Sequence, residues 1–186
     1  MSIILTFIQD MNKNIRKNPK VLPKLLAKFF ETELEISLWE QRGSWEENCG
    51  IKPEFIYEMM NEHQCDLFYV DADSEWIEKP DFSEFEGEHR LIVGCEQIHP
   101  PKWEIITSAM FIPYNEMTLT IMKGWMRHCQ NNPKEWDQIM LAELLNKLTE
   151  EQWGRLDSKY IGIDTDNCIL KQHQASREHK DGANNF

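Results

Sequence analysis

The sequence predicts an α/β protein with a single domain, in which helices flank a mostly parallel central sheet. The chain has 186 residues, a length typical of one domain with a substantial core. Strand-like and helix-like apolar segments alternate along its first half, which is the pattern of parallel strands joined by right-handed crossovers. The run from Leu67 to Val70 is apolar without interruption, as in a strand buried on both faces. Together these observations favour a layered α/β fold.

The first half of the chain reads as strand, helix, strand, helix, strand. Strands are predicted at residues 2–7, 34–39 and 67–70, each being a short apolar run. A first helix is predicted around residues 21–29 from its apolar spacing. A second helix is predicted to begin near Pro53, which suits a first turn, and to end near His63. Its predicted buried face carries Phe55, Ile56, Met59 and Met60.

The second half begins with an acidic loop at residues 75–90, for which we expect one short helical turn. Further strands are predicted at residues 91–95, 105–112, 160–163 and 168–170, and helices at 117–129 and 134–148. The last residues lose all apolar periodicity. We therefore expect a compact domain over residues 1–175 and a flexible tail over residues 176–186.

Composition narrows the range of partners and the cellular location. The formal net charge is -12, so phosphate backbones would repel the chain and nucleic acid is not an expected partner. The five cysteines are odd in number and widely spaced, which favours reduced thiols. The opening residues lack the features of a signal peptide, and no apolar run reaches membrane-spanning length. These features predict a cytoplasmic protein with no membrane span.

Two acids follow the apolar run at once. Asp71 and Asp73 flank Ala72, and in extended backbone both carboxylates would point to one side where the strand stops. Ligands of open α/β sheets lie beyond the carboxyl ends of strands. Two fixed carboxylates repel each other unless a cation joins them, and hard divalent ions prefer oxygen ligands. The pair predicts a metal site for a diphosphate, although a bare Asp-x-Asp is more often an acidic, solvated turn.

A third acid lies on an apolar helix face. Asp137 shares the predicted buried stripe with Met140, Leu141 and Leu144, and Gln138 borders that stripe. An acid in a first turn can satisfy free N–H groups and the helix dipole. It can equally serve a functional site at the edge of the sheet. Both interpretations remain open at this point.

Three basic residues could meet a diphosphate or a metal. Lys52 precedes the helix before the acidic strand, and at the mouth of a crevice it could neutralise a phosphate. His173 and Arg177 follow the last predicted strand and could supply an imidazole for a metal and a forked cation. Each could also be a surface residue. No glycine-rich phosphate loop is present, so phosphate binding would depend on metal and side chains.

These segments, in this order, resemble one family. The stretch GSWEENCGIKPEFIYEMMNEHQCDLFYVDADSEW resembles the core signature of GT-A type glycosyltransferases that use nucleotide-diphospho-sugars. ITSAMFIPYN is similar to the strand that borders the sugar site in that family, WDQIMLAELL to its helix with an Asp-Gln pair, and HQASR to its terminal His-containing segment. The resemblance extends from about residue 34 to about residue 177.

The resemblance implies a Rossmann-related GT-A domain that moves a sugar from a nucleoside diphosphate sugar, with a UDP-sugar as the expected donor. It implies Mn or Mg as the cofactor and a small-molecule, glycan or protein acceptor. The residues it implicates share a position around that donor. They are Asp71, Asp73 and His173 as metal ligands; Lys52, Asp71, Ala72, Ser108 and Arg177 as donor-binding residues; and Asp137 and Gln138 beside the anomeric carbon, with retention of configuration.

Two other functions remain open from the sequence. The chain could bind a nucleotide sugar or a partner protein without turnover, keeping the fold and losing catalysis. It could also glycosylate modified DNA, a hypothesis that the negative charge opposes.

Overall fold

The computed structural model describes residues 3–9, 34–39, 43–71, 74–99, 102–163 and 165–172. The helix predicted around residues 21–29 lies outside these ranges. Six strands form the main sheet: β1 (Ile3–Gln9), β2 (Leu34–Trp39), β3 (Leu67–Val70), β5 (Leu91–His99), β6 (Lys102–Ile112) and β7 (Trp153–Arg155), in the order β2-β1-β3-β6-β5-β7. A smaller sheet contains β4 (Glu75–Trp76), β8 (Ile161–Ile163) and β9 (Leu170–Gln172), in the order β4-β9-β8. The helices are α1 (Trp45–Cys49), α2 (Lys52–His63), α3 (Glu116–Asn131) and α4 (Asp137–Leu145), with a 3-10 turn at Phe82–Phe85.

The main sheet is mixed, so the prediction of a mostly parallel sheet is not confirmed. Strand β1 pairs in parallel with β2 and with β3, and β5 pairs in parallel with β7. Strand β6 runs antiparallel to both of its neighbours, β3 and β5. Only two residues separate β5 from β6 in the sequence, and a parallel pair needs a connection of a dozen or more. An apolar run indicates a strand that is buried on both faces. It does not indicate whether that strand runs parallel or antiparallel to its neighbours.

Strand β3 is buried on both faces, as the sequence predicts. Its four residues are all buried. Leu67 and Tyr69 belong to a core that α2, α3 and α4 complete. Phe68 and Val70 belong to a second core beneath the smaller sheet and the 3-10 turn. The sheet therefore forms the middle of three layers, because successive side chains of a strand point to opposite faces.

The helices agree with the sequence in kind and differ at some boundaries. Helix α2 begins at Lys52 with Pro53 in its first turn, and it buries the four predicted apolar residues. Helix α4 begins at Asp137 rather than at residue 134, because the preceding Trp136 is extended, with a ψ of 140°. Helix α1 was not predicted. It begins with a capping box in which Ser44 and Glu47 satisfy each other's backbone N–H groups.

A bulge in β6 positions the residues that follow β3. Val93 of β5 pairs with Met110, yet the next residue, Gly94, pairs with Ile106. Residues 107–109 therefore face a single step of β5, and we call them the β6 bulge. On the other side of β6, the backbone N–H of Asp71 donates to the carbonyl of Ser108 at 2.9 Å. The end of β3 is thus fixed to the middle of the bulge.

The helices within the described ranges are all too short or too polar to cross a membrane.

Candidate functional site

One buried ammonium group joins two acids at the edge of the main sheet. The Lys52 Nζ lies 3.0 Å from Oδ1 of Asp71 and 3.3 Å from Oδ2 of Asp137. It also donates to Oγ1 of Thr107 at 3.0 Å. Lys52 is only 7% exposed. A buried ammonium needs this many partners, because water no longer solvates it.

The two acids keep Lys52 charged. Burial alone would lower the pKa of Lys52, but the carboxylates of Asp137 and Asp71 raise it well above its usual value. One positive charge against two negative charges leaves this group with one net negative charge. The site therefore favours the approach of a further cation over that of an anion.

Asp137 is held by groups from three elements. It is 4% exposed, and its Oδ2 accepts the hydroxyl hydrogen of Thr107 at 3.0 Å. Its main-chain carbonyl accepts the indole N–H of Trp125, in α3, at 2.8 Å. The N-cap residue Trp136 makes no side-chain cap bond. The carboxylate is therefore engaged by Thr107 and Lys52, while its place in the first turn also suits the helix dipole.

Asp71 lies at the border between this network and solvent. The hydroxyl of Tyr69 donates to its Oδ1 at 2.6 Å, and Lys52 also approaches its Oδ2, at 3.2 Å. The side chain remains 24% exposed. Tyr69 and Asp71 are two residues apart, so both side chains emerge on the same face of the extended chain. The hydroxyl orients the carboxylate while leaving part of it open to solvent.

Ser108 and Gln138 adjoin this network. Ser108 is 3% exposed, and its Oγ has no hydrogen-bond partner in the part of the chain that the structure describes. An unpaired buried hydroxyl is costly, and such groups occur at binding sites. Gln138, next to Asp137, donates from Nε2 to Oε1 of Glu104 at 2.9 Å. Gln138 is thus tied to β6 rather than to the five residues that we call the lysine network, Lys52, Tyr69, Asp71, Thr107 and Asp137.

The structure brings together some of the predicted site residues. Lys52, Asp71 and Asp137 are in direct contact, and Ser108 joins them through its carbonyl. Of the other predicted residues, Gln138 contacts Glu104, and four fall outside the described ranges: Ala72, Asp73, His173 and Arg177. Within those ranges, no group of three acidic, histidine or cysteine side chains is arranged to hold a metal ion.

The chain neighbours of two predicted metal ligands do meet. Ser74, which follows Asp73, donates from Oγ to Oε1 of Gln172 at 2.7 Å. Gln172 directly precedes His173. Strands β4 and β9 continue this contact as an antiparallel pair, with Glu75 opposite Lys171.

Sequence reasoning missed two members of the network, Thr107 and Tyr69. Thr107 and Ser108 form a polar pair inside the otherwise apolar run of residues 105–112, and an interruption of that kind is the available signal. Tyr69 lies in a buried strand, where a hydroxyl needs a partner. Its spacing of two residues from Asp71 indicates that partner.

Comparison with protein-family models and with curated proteins finds no match. Among solved structures, one with the same fold is that of a glycosyltransferase involved in the glycosylation of the major capsid of PBCV-1. The TM-score is 0.72 at 12% sequence identity, and the match covers 100% of this chain and 99% of that one. At this identity the similarity shows the fold, and a fold does not by itself determine an activity.

Proposed function

We propose that this chain is a metal-dependent glycosyltransferase that takes a sugar from a nucleoside diphosphate sugar, with a UDP-sugar as the donor. The network of Lys52, Asp71 and Asp137 carries the proposal, because three charged side chains are fixed where ligands of such sheets bind. The full-length similarity in fold to a glycosyltransferase supports it.

Asp71, Asp73 and His173 would hold Mn or Mg. Carboxylate oxygens are ligands that both ions accept, Asp71 is partly exposed, and the network carries a net negative charge that suits a cation. The contact between Ser74 and Gln172 supports the set, because these two residues are the sequence neighbours of Asp73 and His173. When bound, the metal would supply stabilisation of the negative charge on the departing diphosphate.

The residues of the chain would bind and orient the donor. Ser108 offers a buried hydroxyl for a hydrogen bond to the ligand. Asp137 and Gln138 would border the anomeric carbon, where a buried carboxylate favours the positive charge that develops as the diphosphate leaves. Lys52 would keep the two acids in place, and with Arg177 it would lie near the phosphates. Transfer would proceed with retention of configuration, to a small-molecule, glycan or protein acceptor.

A thermal-shift experiment tests the metal and the donor. The melting temperature is measured with Mn alone and with a panel of nucleoside diphosphates and their sugars, for the parent and for Asp73→Ala. We expect one nucleotide to raise the melting temperature only with Mn, and only in the parent, because ligands stabilise the state that binds them. Glu151→Ala, at an exposed acid of the 149–152 turn, is the control and should behave as the parent. An equal shift in Asp73→Ala would refute the metal assignment.

A transfer assay tests catalysis. With the donor that the panel identifies, Asp137→Asn keeps the size of the side chain and removes its charge. We expect kcat to fall by about 100-fold or more, the scale of losing one preorganised electrostatic group. Tight donor binding by the parent without transfer or hydrolysis would instead indicate a binding protein.

A further inference from the structure

We propose that Gly94 is a positioning residue of this site, because its lack of a side chain lets the β6 bulge fold against β5 and so fixes Thr107 and Ser108. Its expected effect on donor binding rests on the proposed function. Its effect on the lysine network does not.

The requirement for glycine at this position is steric. A Cβ at position 94 would lie 2.7 Å from the carbonyl oxygen of Ile106 and 3.1 Å from that of Ala109. Both are backbone atoms of β6, so they cannot swing aside as the end of a side chain can. Gly94 does not have a positive φ, unlike Gly43 and Gly87. The backbone conformation therefore permits other residues, and the two carbonyls exclude them.

The two carbonyls bracket the bulge. Ile106 precedes it and Ala109 is its last residue, and the ladder of β5 resumes at Met110. Bulges bend a strand and redirect its side chains, and they are frequent beside active sites. Here the bulge directs the hydroxyl of Thr107 toward Lys52 and Asp137. Thr107 Oγ1 accepts from Lys52 and donates to Asp137, each at 3.0 Å.

A side chain at position 94 would push these carbonyls away from β5. The shift would move the hydroxyl of Thr107 away from Lys52 and Asp137. It would also move the carbonyl of Ser108 away from the backbone N–H of Asp71, which donates to it at 2.9 Å. The atoms nearest to a Cβ at position 94 belong to Ile106 and Ala109 and not to the three charged side chains of the network. Gly94 acts through the backbone of β6, which makes it a positioning residue rather than a catalytic one.

The first test reads the lysine network directly and needs no donor. The ammonium signal of Lys52 is recorded by ¹⁵N NMR for the parent, Gly94→Ala and Gly154→Ala, and is assigned by its loss in Lys52→Arg. Gly154, on the neighbouring strand β7, is the matched control, since its Cβ would meet only side-chain atoms, Ile92 Cδ1 at 3.1 Å and Arg90 Nη1 at 3.5 Å. We expect the Lys52 signal to shift or broaden in Gly94→Ala alone. An unchanged signal there would overturn the proposal.

A variant that folds poorly is measured at 10 °C in about 1 M sucrose, because excluded osmolytes favour the folded state. If Gly94→Ala stays unfolded under these conditions, the proposal is overturned, since Gly94 would then serve the whole sheet and not this site.

The second test measures binding of UDP-glucose with Mn to the parent, Gly94→Ala, Thr107→Val and the double variant. We expect Gly94→Ala to weaken binding at least about 10-fold, and the double variant to bind no more weakly than the weaker single variant, because residues in one network are not additive. Additive losses would contradict positioning through Thr107. If the parent binds no UDP-glucose, that donor assignment fails, and the ammonium signal alone decides on Gly94.

Discussion

Lys52 is the residue on which the stability of the site depends. Replacing it by Met would leave the carboxylates of Asp71 and Asp137 close together with no cation between them. We expect Lys52→Met to lower the free energy of unfolding by about 3 kcal/mol or more, as when one partner of a buried ion pair is removed. Denaturant unfolding at pH 7 measures this loss.

The control is Lys159→Met, at an exposed lysine that pairs with Glu84 at 2.6 Å. Exposed ion pairs contribute little, so we expect a loss below about 1 kcal/mol there. Equal losses in the two variants would contradict the special role of Lys52.

The pH dependence of Lys52 follows from the sign of its pKa shift. The carboxylates of Asp137 and Asp71 outweigh burial and raise the pKa of Lys52 in the folded protein. The stabilising contribution of a group with a raised pKa is complete below its unfolded pKa, about 10.4 for lysine, and is lost only as pH rises beyond that value. We expect the stability difference between the parent and Lys52→Met to shrink between pH 10 and pH 12. Unfolding free energies at these two pH values test it, and a difference that grows would contradict the assignment.

At the level of single residues, the sequence predicts the acids better than their partners. The apolar stripe around Asp137 shows that this acid is buried, and the structure confirms the burial. The pairing of Asp137 with Lys52 is not visible in the sequence, because it joins the first turns of two helices that are far apart in the chain. The contacts of Thr107 are harder still to predict. The direction of its side chain depends on the β6 bulge, and the bulge depends on the pairing of β6 with β5.

At the level of elements, helix α3 offers a clear test of local stabilisation. Its N-cap, Asn115, accepts from the N–H of Thr118 at 2.9 Å and donates from Nδ2 to the carbonyl of His89, also at 2.9 Å. We expect Asn115→Ala to lower the free energy of unfolding by about 1 kcal/mol, the usual value of a lost cap, or slightly more. Thermal unfolding measures it. Asn131→Ala, at the exposed last residue of the same helix, is the control and should change little.

The elements themselves follow closely from the sequence, and their pairing does not. Strand β3 and the buried face of α2 agree with the predicted residues because a continuous apolar run and a helical apolar spacing are both local signals in the sequence. The direction of β6 and its bulge result from contacts with β3 and β5, which no local period encodes. For the same reason β7, with three residues, was not predicted.

At the level of the whole molecule, the net negative charge argues against DNA as the acceptor. The chain has 32 acidic and 20 basic residues, so a DNA duplex should be repelled. We expect no saturable binding of a labelled duplex below about 100 µM protein at near-physiological salt. Fluorescence anisotropy measures this. Tight binding that weakens steeply with salt would contradict it and would favour a glycosyltransferase that acts on DNA.

The three-layer arrangement was predictable in outline from the alternation of segments and the doubly buried β3. The smaller sheet was predictable only in part: the strands predicted at 160–163 and 168–170 overlap β8 and β9, whereas the two-residue β4 and its pairing with β9 were not predicted. Strands of that length are defined by their partners, and here the partner of β4 is β9, which lies about a hundred residues further along the chain. The pairing of these two strands continues beside the site, where Ser74 donates a hydrogen bond to Gln172.

The lysine network also bears on synthesis of the chain. Lys52 and Thr107 are 55 residues apart, and a further 30 residues separate Thr107 from Asp137. A ribosome that has released the chain only as far as β6 has therefore delivered the ammonium and one carboxylate but not the second. Contacts between residues this distant form late, since the intervening loops must close first. Until α4 emerges, the ammonium would stay hydrated, and this edge of the sheet would remain open.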